Sequence, residues 1–233
     1  MSLYDRDYVQ DSQSIENSLE QSSELSTFIK DTYKLIAASL IAAVAGAFVG
    51  MNAGIPRSPM LSILFLAVEL IMLFGMSFAD KRGMRGLALG LLFAFTFVTG
   101  LFLGPVLSMY VGAGAGHVVT QAFVMTAVAF GGLTLYAINA KADFSSWSKP
   151  LFFVLLGVIV AGLLNLFLFR STMLSLGISS VSAILFSMYI LFDTQNIIRG
   201  RYDSPIMAAV GMYLNILNLF ISLLNILGIL NRD

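Results

Sequence analysis

Cysteine is absent from the 233 residues, and histidine occurs once, as His117. That inventory excludes a disulfide framework, a thiolate nucleophile, a sulfur-ligated metal and a multi-histidine metal centre, and it leaves redox compartment unreadable. Charge is scarce as well. Only 11% of residues are charged, against roughly 25% in soluble domains. The 13 basic and 13 acidic residues cancel, so no global field recruits nucleic acid or an acidic partner. There is no GxSxG elbow and no HExxH helix, which removes the common serine and zinc hydrolases. The last lysine is Lys149, so a final membrane span could offer no Schiff-base lysine to retinal. The glycine-rich stretch Gly112–Gly116 follows no strand and precedes no Lys-Ser/Thr pair, which rules out a nucleotide loop and leaves a hinge. The chain reads as a non-enzyme without a resident cofactor.

Apolar residues fill the space that charge leaves: 58% of the chain, with a mean hydropathy of +0.88. A hydrocarbon core about 30 Å thick needs about 20 apolar residues in helical conformation, because each backbone polar group must be satisfied within its own helix. Seven stretches meet that demand, at residues 33–51, 61–78, 86–110, 118–138, 150–169, 175–198 and 206–230. Turn or charge signals separate them, among them Asp80-Lys81-Arg82-Gly83 and the segment from Gly200 to Pro205. The connections are short, and no internal repeat suggests an inverted-repeat transporter. The expected architecture is all-α: a seven-transmembrane-helix bundle spanning 31–233, preceded by a polar, acid-rich tail at 1–30 that solvates as coil. That tail has no basic stretch followed by an apolar core, so no cleaved signal peptide is expected.

Ten of the thirteen basic residues fall on the tail side: Arg6, Lys30, Lys34, Lys81, Arg82, Arg85, Lys141, Lys149, Arg199 and Arg201. Arg57, Arg170 and Arg232 fall on the other. The positive-inside rule puts the amino terminus in the cytoplasm and, across seven spans, the carboxyl terminus outside. Lys34 reads as a snorkelling residue at the entrance of span one, Trp147 as an interfacial anchor and His117 as a loop residue.

Glu69 and Asp193 are the acidic residues inside spans, where an ionised carboxylate costs roughly 2.5–3.5 kcal/mol at the helix centre. Each should face the bundle or water. Ser179, Ser182, Phe186, Tyr189 and Asp193 share a narrow sector of span six at about 100° per residue. Span seven carries Asn215, Asn218, Ser222 and Asn225 at intervals of 3, 4 and 3, a face that lipid cannot satisfy. Span seven is therefore the expected bundle centre. The short connection makes spans six and seven antiparallel neighbours, with Asp193 and Asn215 at similar depth. Serines and asparagines in such stripes serve as interhelical glue; Asp193, Asn215 and Glu69 are the candidates for an ion or proton gate.

Residues 186–198 read FSMYILFDTQNII and residues 212–224 read MYLNILNLFISLL. The first string, ending in Tyr189, two apolar residues, Phe192, Asp193, Thr194 and Gln195, resembles the signature of the Bax inhibitor-1 (TMBIM) family, and the second resembles that family's last span. The resemblance implies a seven-helix membrane fold with a central last helix, in the cytoplasmic (inner) membrane of a bacterium. For some bacterial members it also implies a pH-sensitive calcium leak in which two aspartates near the cytoplasmic side share a proton. Asp193 aligns with the first of these; the second position holds Asn215. An Asp–Asn pair lacks the split titration of two coupled carboxylates and offers a divalent ion one charge fewer.

Two functions remain open on these residues. One is a leak for calcium or another cation, with Asp193 as gate or ligand and Asn215 as a neutral oxygen donor. The other is a non-transporting scaffold that regulates a membrane protease or a stress and survival factor, with the lipid bilayer and other membrane proteins as its only partners.

Overall fold

Seven long helices account for nearly all of the chain in the computed structural model, which describes residues 3–56 and 58–231, with side chains from residue 19 onward except at 59. Helix α1 runs over Leu3–Asn52, α2 over Pro59–Lys81, α3 over Arg85–Gly112 and α4 over Gly116–Asn139. A 3-10 turn at Phe144–Trp147 leads into α5 (Ser148–Leu164), which ends in a π-turn at Asn165–Phe169; α6 (Thr172–Ile198) and α7 (Pro205–Leu230) complete the bundle. Each of the seven carries a stretch long and apolar enough to cross a membrane. Arg57 and Arg232, two of the basic residues assigned to the far side, lie outside the described residues, as do the side chains of Asp5, Arg6, Asp7, Asp11 and Glu16.

Local chemistry sets the boundaries. Ser58 and Ser204 cap α2 and α7 by accepting from the amides of Leu61 and Ile206, each followed by a proline that suits the first helical position. Gly83 and Gly200 take positive φ where α2 and α6 stop, a conformation that costs a residue with a Cβ. Between α5 and α6 the work falls to Asn165. Its amide accepts from Ser171 N at 2.9 Å and donates to Ser171 O and Ser175 Oγ, closing the turn around a left-handed Arg170.

The tail differs from the coil expected of it. Residues before the first span continue α1 as helix, and at about 1.5 Å per residue the 50-residue α1 greatly exceeds the thickness of a bilayer core. Apolar residues explain the part nearest the bundle. Phe28 and Ile29 pack on the core, and Leu25 lies against Gly200 in the α6–α7 turn.

Helix α7 is central, with 39% of its most apolar stretch inside the protein against 6% for α2. Three of its faces find partners. Ile206, Val210 and Tyr213 meet Met76, Leu92 and Phe95 of α2 and α3; Ala208, Met212 and Leu219 meet Phe186 and Ile190 of α6 and Ile36 of α1; Leu224 meets Val118 and Ala122 of α4.

The most extensive helix pairing is α1 with α3, and its cause is a pair of GxxxG motifs that sequence reasoning passed over. A Cβ at Gly46 would lie 2.0 Å from Phe97 O, and one at Gly50 2.1 Å from Leu101 O. From the other side, a Cβ at Gly100 would lie 2.0 Å from Ala43 O, and one at Gly104 2.4 Å from the carbonyl carbon of Gly50. Only hydrogen at these four positions lets the backbones touch, and close packing is the main source of helix affinity where lipid removes the hydrophobic drive. Gly100→Ala should therefore push α1 from α3, at about 1–3 kcal/mol for overpacking, lowering the Tm in detergent by roughly 3–10 °C. Gly131→Ala, at a site with nothing within 4 Å, should leave the Tm unchanged or raise it. Equal responses from the two variants would refute the backbone contact.

Candidate functional site

The last turns of α6 bury four consecutive polar residues, Asp193, Thr194, Gln195 and Asn196. Successive residues on a helix point about 100° apart, so this end of α6 is enclosed on every side, by α7, α1, the α4–α5 connection and the α6–α7 turn. Asp193, 6% exposed, faces α7 and the α6–α7 turn. Asn215 Nδ2 donates to Asp193 Oδ2 at 2.6 Å, and the Tyr202 hydroxyl donates to Asp193 Oδ1 at 2.7 Å. Thr194 faces the Tyr33 hydroxyl of α1. Gln195 reaches the α4–α5 connection, accepting from Phe144 N at 2.9 Å and donating to Ala142 O at 2.8 Å. Asn196 accepts from the Arg201 side chain at 3.4 Å.

The carboxylate of Asp193 thus has a donor on each oxygen and, among the described residues, no basic side chain as partner. Gly211, one turn before Asn215 on α7, borders the same pocket: a Cβ there would lie 3.6 Å from the Tyr202 hydroxyl and 3.7 Å from Asp193 Oδ2, at ordinary contact distance. Burial, and then the charge of Asp193, push the Tyr202 phenol well above its usual value, so Tyr202 remains a donor at any physiological pH.

A second charged group holds the turn that carries Tyr202. Asp143, just before the 3-10 turn, pairs with Arg199 at 2.6 Å and Arg201 at 3.6 Å. The Ser145 backbone amide, and then Arg199, hold the Asp143 carboxyl down at about 2. A depressed carboxylate contributes its stabilisation above the unfolded-state value of about 3.9 and loses it as pH falls through the folded value. Asp143 is therefore fully ionised between pH 5 and 8 and is no sensor in that window.

The remaining sequence candidates distribute differently. Ser182 and Ser179 are buried in the α6 stripe, and Tyr189 is half-buried with its ring 6.2 Å from Phe186. Asn218 donates to Leu214 O at 2.8 Å and Ser222 to Asn218 O at 2.7 Å, so both satisfy their polar atoms on α7 itself. Asn225 is exposed, a correction to the bundle-core stripe expected of span seven. Its cause is helical drift, since ten residues at about 100° each place Asn225 roughly 80° from Asn215, at the rim of the packed face. Glu69 is half-buried and makes no hydrogen bond or ion pair among the described residues. It lies within electrostatic reach of Tyr213. The Tyr213 hydroxyl is hydrogen-bonded to that of Thr99 and lies 3.4 Å from Thr96 O. No bond joins Glu69 to Asp193.

Sequence reasoning missed Tyr202, Gln195, Asp143 and the Tyr213–Thr99 pair. Gln195 stood inside the motif that carried the resemblance. Tyr202 lies nine positions from Asp193 in the turn after α6, while Asp143 and the Tyr213–Thr99 pair become visible only when distant segments meet, Asp143 lying 56 positions from Arg199.

Chemically, the site offers a buried carboxylate, an amide and a phenol at the end of the bundle where Arg199 and Arg201 lie. Among the described residues no three His, Asp or Glu side chains cluster for metal binding. A divalent cation, which takes 6–8 oxygens, would have to complete its shell at Asp193 with amide, backbone, hydroxyl and water oxygens.

Residues 25–232 match the protein family described as Inhibitor of apoptosis-promoting Bax1. A Campylobacter jejuni protein is 51% identical over 235 residues, covering 99% of both chains. The modulator of FtsH protease YccA of Escherichia coli is 33% identical over 222 residues, covering 94% of this chain and 98% of its own. Mouse protein lifeguard 4 is 32% identical over 211 residues, covering 88% and 86%. The match spans all seven helices and includes both strings around Asp193 and Asn215; the chain belongs to the Bax inhibitor-1 family of integral membrane proteins.

Proposed function

We propose that the protein is a leak for calcium or another cation, gated at Asp193, with Asn215 as the neutral oxygen donor beside it. The observation that carries this reading is the enclosure of Asp193, a buried carboxylate whose two oxygens are held by neutral donors, Asn215 and Tyr202. Release of either donor would free a lone pair in a low-dielectric site, where a passing cation is the natural replacement. In this reading Glu69 is a second acidic station on the membrane path, and residues 1–30 form a cytoplasmic arm on the domain 31–233.

A second reading rests on a relative. The Escherichia coli protein named a modulator of FtsH protease is similar over nearly the whole chain, which favours a regulatory membrane protein that binds a protease and passes no ion. On that view Asp193 holds α6 against α7 and the helical arm meets the partner.

The proposed orientation puts the amino terminus in the cytoplasm and the carboxyl terminus outside, in the membrane where a similar Escherichia coli protein is named an inner membrane protein. Reporter fusions test it: a carboxyl-terminal reporter active only in the cytoplasm would sink the seven-span orientation.

Flux in liposomes between about pH 6 and 8 separates the two functions. Asp193→Asn removes the only carboxylate of the pair and should abolish cation flux or its pH dependence, since two amides neither titrate nor attract a divalent ion strongly. Asn215→Asp restores a pair of coupled carboxylates and should make calcium flux respond more steeply to pH. Wild type and both variants equally silent, with the bundle intact, would rule out the leak and leave the protease-binding reading.

A further inference from the structure

Where α2 ends and α7 begins, the tail-side surface opens into a cleft of about 540 Å³ lined by Ser77, Asp80, Lys81, Arg85, Arg201, Tyr202, Ser204 and Met207, among others. We propose that this cleft binds the headgroup of an anionic phospholipid through its phosphodiester.

Position is the first ground. Lys81 is the last residue of α2, Arg85 the first of α3 and Pro205 the first of α7, so the cleft lies where apolar spans give way to polar loops, at headgroup depth. It borders α2, the helix with the smallest buried share and hence the one most open to lipid. Its volume is in the range of small-molecule sites.

Charge is the second. Three cations line the cleft, and two of them, Lys81 and Arg85, have no ion pair among the described residues, while Arg201 is shared with Asp143. Of the two acids there, Asp80 is engaged by Ser204 Oγ at 2.8 Å and Asp203 is exposed. Three positive charges against two negative leave one, which matches the single charge of a phosphodiester and falls short of a nucleotide or phosphate monoester. Basic pockets between helix ends are where anionic headgroups bind membrane proteins, and arginine beside lysine suits a phosphate oxygen. No side chain caps the first turn of α3 at Met84, which leaves amide donors beside Arg85. Tyr202 lines the same cleft and donates to Asp193, so a bound headgroup would sit one side chain away from the buried carboxylate.

The test uses full-length protein in detergent, followed by thermal unfolding with phosphatidylglycerol, phosphatidylcholine or inorganic phosphate added. Phosphatidylglycerol should raise the Tm by about 3 °C or more, with no rise from the other two. Lys81→Gln with Arg85→Gln should lose at least half of that rise, Lys81→Arg with Arg85→Lys should keep it, and Lys141→Gln, outside the cleft, should leave it intact. Equal shifts from the two lipids, a full shift from inorganic phosphate alone, an undiminished shift in the double glutamine variant, or an equal loss in Lys141→Gln would each overturn the proposal. Native mass spectrometry of the wild type checks it without any variant: protein equilibrated with equal amounts of both lipids should retain phosphatidylglycerol one to one, and indifference between them would refute the site.

Discussion

Hydrocarbon supplies no hydrogen bonds, and a buried carboxylate must therefore draw its donors from the protein around it. Much of this fold can be read as meeting that demand at Asp193. The donor from α7 requires α6 and α7 to be antiparallel neighbours at one depth. The second donor, Tyr202, requires a turn short enough to fold back over the end of α6. That turn is pinned from outside by Asp143 through Arg199 and Arg201, and the connection carrying Asp143 is held from inside by Gln195. The amino-terminal helix adds its own cover through Leu25 against Gly200.

The pairing of α1 with α3 obeys a different rule. Between α1 and α3 the close approach is one of backbone to backbone, and van der Waals contact falls off steeply with distance. Glycine at positions 46, 50, 100 and 104 brings backbone to backbone and makes that contact as large as it can be. The α1–α3 pair is thus held by shape, while α6 and α7 add hydrogen bonds between a few polar side chains to their apolar packing. The second kind of contact can be exchanged for water or an ion; the first can only be lost.

How far the sequence displayed this depends on the range of each signal. Helix number, the centrality of α7 and the pairing of α6 with α7 follow from runs of apolar residues, polar stripes and one short turn, all local features. The meeting of Asp193 with Asn215 was legible for the same reason. Asn225 was misplaced because a 3, 4, 3 spacing looks like one face over two turns and drifts off it over three. The helical arm was hidden by its acidic composition, which describes solubility rather than conformation; what orders its end is the contact of Leu25, Phe28 and Ile29 with a distant part of the bundle. Asp143 and Tyr202 carry no signal in isolation, since a loop aspartate or tyrosine acquires meaning only from the segment folded against it.

An amide at position 215, where a second carboxylate would make a coupled pair with Asp193, changes what the site requires of a proton. Two carboxylates facing each other in a dry pocket can be bonded only if one is protonated, because two ionised acceptors have no hydrogen to share and repel. An amide brings its own hydrogens. Asn215 donates to Asp193 at 2.6 Å with no proton on the carboxyl required, and the Tyr202 phenol, pushed above its usual value, does the same from the other side. The arrangement around Asp193 is thus compatible with an ionised carboxylate, and its integrity does not depend on a shared proton. In a site built this way, proton binding competes with the two donors instead of supplying the bond. Parting α6 from α7 would break the bond from Asn215, and the turn that carries Tyr202 is tied at the surface by Asp143, which is exposed, and by Ser204 to Asp80 in the cleft beside Lys81.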